Sequence, residues 1–221
     1  ETVTALAKDA GIPVWNALTN KYHPTQTLAD LLTISERVNK PLNQIKLVYV
    51  GDARNNVATS LMIGAAKMGM NFIGLAPKCL FPSANLIDQA RTSAKNSRAS
   101  VQFSSDIDAA IKGADVIYTD VWFSMGDDVN VAEHIALLSP YRVNQQMLAA
   151  TGQPKVIFMH CLPACHDTQT VLGSKIHQEY GLSAMEVTDE VFRGSHSVVF
   201  DQAENRLHTI KAIMVATLSS I

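Results

Sequence analysis

A histidine and a cysteine stand side by side at His160-Cys161, directly after the apolar run Val156-Ile157-Phe158-Met159. An imidazole and a thiol can pass protons, hold a metal or act beside a carbonyl carbon. The competing expectation is packing, because free cysteine is among the most often buried residue types. Other segments carry groups of the same kind. Asn55-Asn56 offers amides, Asp120 to Gly126 a carboxylate and the Ser124 hydroxyl, and Asp189-Glu190 further carboxylates. Asp120 suits an ammonium group, while Asn56 and Ser124 suit a carboxylate, so together they fit a small zwitterion. An Asn at a helix start also serves simply as an N-cap. His160-Cys161 with Cys165-His166 could chelate zinc, but their spacing matches no structural zinc template, so no metal is expected.

These groups need elements to bring them together. The Val156 run is short, rich in β-branched and aromatic residues and bounded by Pro154 and Pro163, which predicts a buried, parallel strand. Further strands are expected at Ile12 to Leu18 (weakened by Pro13), Lys46 to Gly51, Asn71 to Leu75, Ser100 to Phe103, Asp115 to Thr119 and Met185 to Val187. Helices are expected at Val3 to Ala10, Asn56 to Met68, Gln89 to Lys95, Val131 to Leu138 and Tyr141 to Ala150. Another is expected at Ile107 to Lys112, capped by Ser104 or Ser105. Leu207, Ile210, Met214, Leu218 and Ile221 trace an apolar stripe on a last, long helix, whose first turns carry Asp201 and Glu204. Alternation of this kind implies right-handed crossovers and an α/β fold: a doubly wound, Rossmann-like parallel sheet flanked by helices. In such a sheet the loops after the strands stand over the ligand crevice.

Bulk properties exclude several classes. Net charge is −2, from 18 basic and 20 acidic residues that are well mixed, so no nucleic-acid surface or membrane anchor is expected. No apolar stretch approaches the roughly 18 residues of a membrane span. Three cysteines, an odd number, suit reduced thiols and a cytoplasmic location. The turn Gly51-Asp52-Ala53-Arg54-Asn55-Asn56 has one Gly where a dinucleotide fingerprint needs three, and Asp52 would repel a phosphate. No cofactor is expected. Residue 1 is Glu rather than Met, and amphipathic helices stand at both ends, which suggests a piece of a larger assembly.

Three motifs in order, His23-Pro24-Thr25-Gln26, Asp120-Val121-Trp122-x-Ser124-Met125-Gly126 and His160-Cys161-Leu162-Pro163, resemble the ornithine carbamoyltransferases. The similarity extends through Gly51 to Asn56 and the tail Phe200 to Lys211, essentially the whole chain. The Asp-Val-Trp-x-Ser-Met-Gly loop favours ornithine over the aspartate branch. The resemblance implies carbamoyl transfer from carbamoyl phosphate to the δ-amine of L-ornithine, and a homotrimer in the full-length protein. It implies that Asn56, Asp120, Ser124 and Met125 hold the α-amino and α-carboxylate groups of ornithine. Cys161 and Leu162 match positions beside the reacting amine and the carbamoyl group. His23, Gln26 and Arg206 match contacts to the carbamoyl end of carbamoyl phosphate. Cys161, Asp120 and Arg206 thus become the expected catalytic residues. Read alone, His23-Pro24 is a helix start and Arg206 a helix cation.

The Ser-x-Arg-Thr-Arg phosphate motif of the family does not occur in these 221 residues, and Arg54 cannot replace two clustered arginines. Cys165 and Arg193-Gly194 also depart from the family pattern. Four segments are therefore expected. Residues 1–22 belong to a carbamoyl-phosphate domain and 23–36 form a domain-linking helix. Residues 37–198 form the ornithine-binding α/β domain, and 199–221 a helix returning to the other domain. The alternative is a stand-alone amino-acid-binding domain without catalysis.

Overall fold

The computed structural model describes residues 2–123 and 130–218. In chain order the elements are α1 (Thr2–Asp9), α2 (Pro24–Arg37), β1 (Lys46–Val50), α3 (Asn56–Met68), β2 (Asn71–Leu75), α4 (Ala84–Ser97), β3 (Ser100–Ser104) and α5 (Ile107–Ile111). They continue with β4 (Val116–Thr119), α6 (Val131–Leu138), α7 (Gln145–Ala150), β5 (Ile157–His160), α8 (Val171–Tyr180), α9 (Asp189–Phe192) and α10 (Val199–Leu218). The five strands are all parallel, in the order β3-β2-β1-β4-β5, so the doubly wound α/β expectation holds.

Alternate residues of β1, β4 and β5 feed two cores. Leu47 and Tyr49 of β1, Val116 and Tyr118 of β4, and Ile157 and Met159 of β5 enter one face. Val48, Val50, Ile117 and Phe158 enter the other. Strands buried on both faces cannot alternate with polar residues, which is why the runs are almost wholly apolar. The first core is closed by Ile34 of α2, Val57, Leu61 and Ala65 of α3, and Ala90 and Ala94 of α4. The second is closed by Ile111 of α5, Met147 and Leu148 of α7, Val191 and Phe192 of α9, and Val199. Fully burying a side chain such as Leu61 contributes about 1.5–3 kcal/mol.

Several elements differ from expectation for local reasons. Residues 12–18 form no strand: they run without ladder partners, and Pro13 has no N–H to give. The helix expected from Tyr141 is divided. Ser139 to Tyr141 make a 3-10 turn, Val143 pairs with Val187 in a single parallel bridge, and Asn144 caps α7 by accepting from Met147 N. That one bridge is all that forms of the strand expected at Met185 to Val187. Asp106, not Ser104 or Ser105, caps α5, with Oδ1 accepting from Ala109 N at 3.1 Å. Helix α4 begins five residues before Gln89, capped by Ser83.

Helix α10 packs on α2 through polar residues. Asn205 Nδ2 donates to Thr33 Oγ1 at 3.0 Å and to Glu36 Oε2 at 2.8 Å, and Arg37 pairs with Asp201 at 2.6 Å. The apolar stripe faces outward instead: Leu207, Met214 and Leu218 are exposed, and Ile221 lies outside the described residues. Among the described residues, no helix is long and apolar enough to cross a membrane.

Candidate active site

The strand order reverses between β1 and β4, where open α/β sheets bind ligands. A cleft of about 720 Å³ opens there. It is lined from the β1 turn by Asp52, Arg54, Asn55 and Asn56, and from β4 by Asp120 to Phe123. Cys161 to Pro163 reach it from β5, His23 from the start of α2 and Arg206 from α10. Residues as far apart in the chain as His23 and Arg206 therefore share one cleft.

Cys161 and Asp120 are the closest reactive pair. The Cys161 Sγ donates to Asp120 Oδ1 at 3.1 Å, and the same oxygen accepts from Val121 N at 2.8 Å. Burial and the adjacent Asp120 charge push the Cys161 thiol well above its ordinary range, so it is a protonated thiol at neutral pH. In this arrangement Cys161 is the donor and Asp120 the acceptor.

The loop carrying Cys161 is fixed at several points. His160 N donates to Gln202 Oε1 at 3.0 Å. Leu162 N donates to His160 Nδ1 at 2.9 Å, which puts the imidazole proton on Nε2, 3.3 Å from Glu186 Oε1. Both His160 and Glu186 are fully buried. Leu162 has φ +58°, a left-handed conformation that costs a branched side chain about 1–2 kcal/mol. Surroundings that hold such a residue in place are typical of functional loops.

Asn55 caps α3, its side chain accepting from Ala58 N at 2.7 Å, and its Nδ2 donates to Tyr49 Oη at 2.6 Å and Asp120 Oδ2 at 3.2 Å. Asn56 lines the cleft, but its Nδ2 donates to the Thr19 carbonyl at 2.8 Å. The amide facing Asp120 is therefore that of Asn55. Asp52 is forked by Arg54, with Nη2 at 2.7 Å and Nε at 3.0 Å, and lies 3.5 Å from His134 Nε2. Arg54 is thereby committed to its neighbour. Ser124 and Met125 lie outside the described residues.

Across the cleft, Arg206 Nη1 donates to Gln26 Oε1 at 2.6 Å. Burial and the Arg206 charge lower the His23 pKa, which keeps the imidazole neutral near pH 7. His23 Nδ1 and Arg206 Nε are buried and make no hydrogen bond with the described residues. Gln26 stands behind Arg206 rather than on the cleft wall.

Beneath the site, sequence reasoning missed Asp30 and Gln202. Asp30 Oδ1 accepts from Gln26 Nε2 at 2.8 Å, Gln202 Nε2 at 2.7 Å and Tyr118 Oη at 3.3 Å. Gln26–Asp30 and Gln202–Arg206 are both four apart on helices, a spacing that places each pair on one face and could have drawn attention to them. The ligand atoms of Asp120, His160 and Cys161 lie within 4.8 Å of one another, but His160 Nδ1 already accepts from Leu162 N. Cys165 and His166 do not join that group. His166 pairs instead with Asp189 at 2.7 Å and stacks on Phe192.

The chain is similar to the catabolic ornithine carbamoyltransferase of Bacillus cereus, at 55% identity over all of this chain and 65% of that protein. Against the catabolic ornithine carbamoyltransferase of Clostridium perfringens the identity is 54%, over 98% of this chain and 66% of the relative. Among solved structures, the ornithine carbamoyltransferase of Pyrococcus furiosus superposes with a TM-score of 0.86 at 40% identity, covering 99% of this chain and 64% of that one. The chain thus spans just under two thirds of the length of these relatives. The aspartate/ornithine carbamoyltransferase Asp/Orn binding domain matches residues 43–217, and the carbamoyl-P binding domain of the same family matches residues 1–36. On both matches, and on a fold that carries the reactive pair at its switch point, the chain belongs to the aspartate/ornithine carbamoyltransferase family.

Proposed function

We propose that this chain is the ornithine half of an ornithine carbamoyltransferase, which moves the carbamoyl group of carbamoyl phosphate to the δ-amine of L-ornithine. The observation that carries the reading is the Cys161–Asp120 pair, at 3.1 Å, in the same cleft as the unpartnered His23 Nδ1 and Arg206 Nε. One wall suits an amine and the other a carbamoyl carbonyl. The names of the relatives support the same substrates.

The reaction needs the amine neutral. A lysine-like amine has a pKa of about 10.4, so holding it deprotonated at pH 7 costs roughly 4.6 kcal/mol. The cleft lowers that cost by partial dehydration, and Asp120 stands ready to take the proton. The freed lone pair attacks the carbamoyl carbon, whose oxygen is polarised by Arg206 and neutral His23. The new C–N bond forms, the bond from carbon to the bridging phosphate oxygen breaks, the amine nitrogen gives its surplus proton to the departing phosphate, and citrulline and phosphate leave. Cys161 keeps the Asp120 carboxylate aimed at the amine. Asn56, with Ser124 and Met125, takes the α-amino and α-carboxylate end, where the first turn of α3 offers free N–H groups.

The phosphate clamp belongs to the family's other half, so residues 1–22 group with the carbamoyl-phosphate domain, 23–36 link the halves, 37–198 bind ornithine, and 199–221 return. The full-length enzyme is a cytoplasmic homotrimer in this reading, which the unpaired Cys79, Cys161 and Cys165 suit. The test is a citrulline assay on this chain alone and joined to the carbamoyl-phosphate half of the Bacillus cereus relative. The expected result is turnover only when joined. No turnover in either form, with ornithine bound in both, would favour a binding domain without catalysis.

A further inference from the structure

Gln26 and Gln202 are both buried, and an amide side chain can be built in two orientations. Each has its N–H₂ end tied to one atom, Asp30 Oδ1, at 2.8 and 2.7 Å. That tie turns the carbonyl ends outward. Gln26 Oε1 receives Arg206 Nη1 at 2.6 Å on the carbamoyl side, and Gln202 Oε1 receives His160 N at 3.0 Å at the root of the Cys161 loop. Tyr118 Oη donates to the same oxygen and accepts from Gln202 Nε2 at 3.0 Å. Asp30 itself is fully buried and meets no substrate.

We infer that Asp30 is a positioning residue that sets both glutamine amides from one oxygen, and so aligns the carbamoyl-side arginine with the cysteine loop. This deepens the proposed function and rests on it for the identity of the ligands. The requirement is an acceptor at Oδ1, not a negative charge. Oδ2 makes no hydrogen bond with the described residues and can carry a proton without disturbing the three bonds at Oδ1. Burial favours that neutral form, raising the carboxyl to about 7 despite the nearby Arg206. Asparagine reproduces the neutral acid, whereas alanine removes the acceptor.

The experiment uses this chain with ¹⁵N-labelled Asp30→Ala, Asp30→Asn and Gln202→Met variants, read by backbone and side-chain amide NMR and by calorimetry with L-ornithine. In Asp30→Ala, both the His160 amide and the Gln26 side-chain amide should move, and ornithine affinity should fall by about tenfold, the loss expected for misplacing a buried hydrogen-bonded group. Asp30→Asn should keep both resonances in place and affinity within about threefold of the parent. Gln202→Met keeps the question answerable if the alanine variant does not fold: its effect should reach the Gln26 amide through the shared oxygen. The inference is overturned if Gln26 and His160 respond separately, if neither moves, or if asparagine fails as badly as alanine. Absence of ornithine binding in the parent chain would instead overturn the functional reading, and the NMR comparison would still decide the role of Asp30.

Discussion

Cys79 and Cys161 are the same side chain in two settings. Cys79 is exposed, whereas Cys161 donates to a carboxylate and is pushed well above the ordinary thiol range. Since the thiolate is the nucleophile, iodoacetamide at about pH 7.5 should label Cys79 first and Cys161 at least tenfold more slowly, as read by peptide mass spectrometry. Equal rates would contradict the protonated state assigned to Cys161. Asp120→Ala removes a charged partner for the amine, so ornithine affinity by calorimetry should fall roughly 10- to 150-fold, from about 1.5–3 kcal/mol for such a bond. Asp30 gives a third prediction. Its folded value of about 7 lies above the 3.8 of the unfolded chain, so the folded chain holds the extra proton. Stability contributed by that proton is complete below about pH 4 and is lost as pH rises towards 7. Asp30→Asn has no such dependence. Its stability relative to the parent should therefore grow across that window by up to about 4 kcal/mol in urea melts. His23, Asp120 and Cys161 were legible in the sequence because they sit in motifs at loop ends. Asp30 and Gln202 were not, because a polar residue within a helix pattern reads as a solvated face until its partners are known.

At the scale of elements, the close approach of α2 and α3 depends on Gly64. A Cβ at that position would overlap Thr27 Cγ2, which belongs to a buried, β-branched side chain with little rotamer freedom in a helix. Gly64→Ala should therefore cost about 1–3 kcal/mol in chemical denaturation and displace the helix that bears His23, Gln26 and Asp30. An unchanged melt would mean that Thr27 yields freely. The strands from Lys46, Asn71 and Val116 were readable because they are largely buried and the runs are nearly continuous, and the edge strand from Ser100 because polar and apolar residues alternate along it. The segment 12–18 has a similar apolar run but pairs with no strand, and pairing is not written in a single strand. Helix α10 misled in a different way. Its apolar stripe suggested the buried face, whereas the residues buried against α2 are Gln202 and Asn205.

On the scale of the whole molecule, the cleft lies where the strand order reverses, so the alternation of elements alone located its edge. The partners across it were legible only through the three motifs, because chain distance says nothing about which loops meet. The site is also tied to the far end of the chain. A form ending at Ser197 would leave Asp30 short of its Gln202 donor and Thr33 short of Asn205. Each orphaned buried group costs about 1–3 kcal/mol against a total stability of about 5–15 kcal/mol. Such a chain should lose its near-ultraviolet circular dichroism and bind a hydrophobic dye; retention of a cooperative melt would show that α10 is dispensable.

That tie sets an order of events during synthesis. Asp30 leaves the ribosome 172 residues ahead of Gln202, the partner that completes it. At about 5–20 residues per second the gap is roughly 9–34 s. All five strands have emerged by His160, 42 residues before Gln202, while a buried acid still lacks a donor and the Cys161 loop its anchor. The nascent chain therefore carries every strand of the sheet before it can complete the pocket, and α10 acts as the key that turns one into the other.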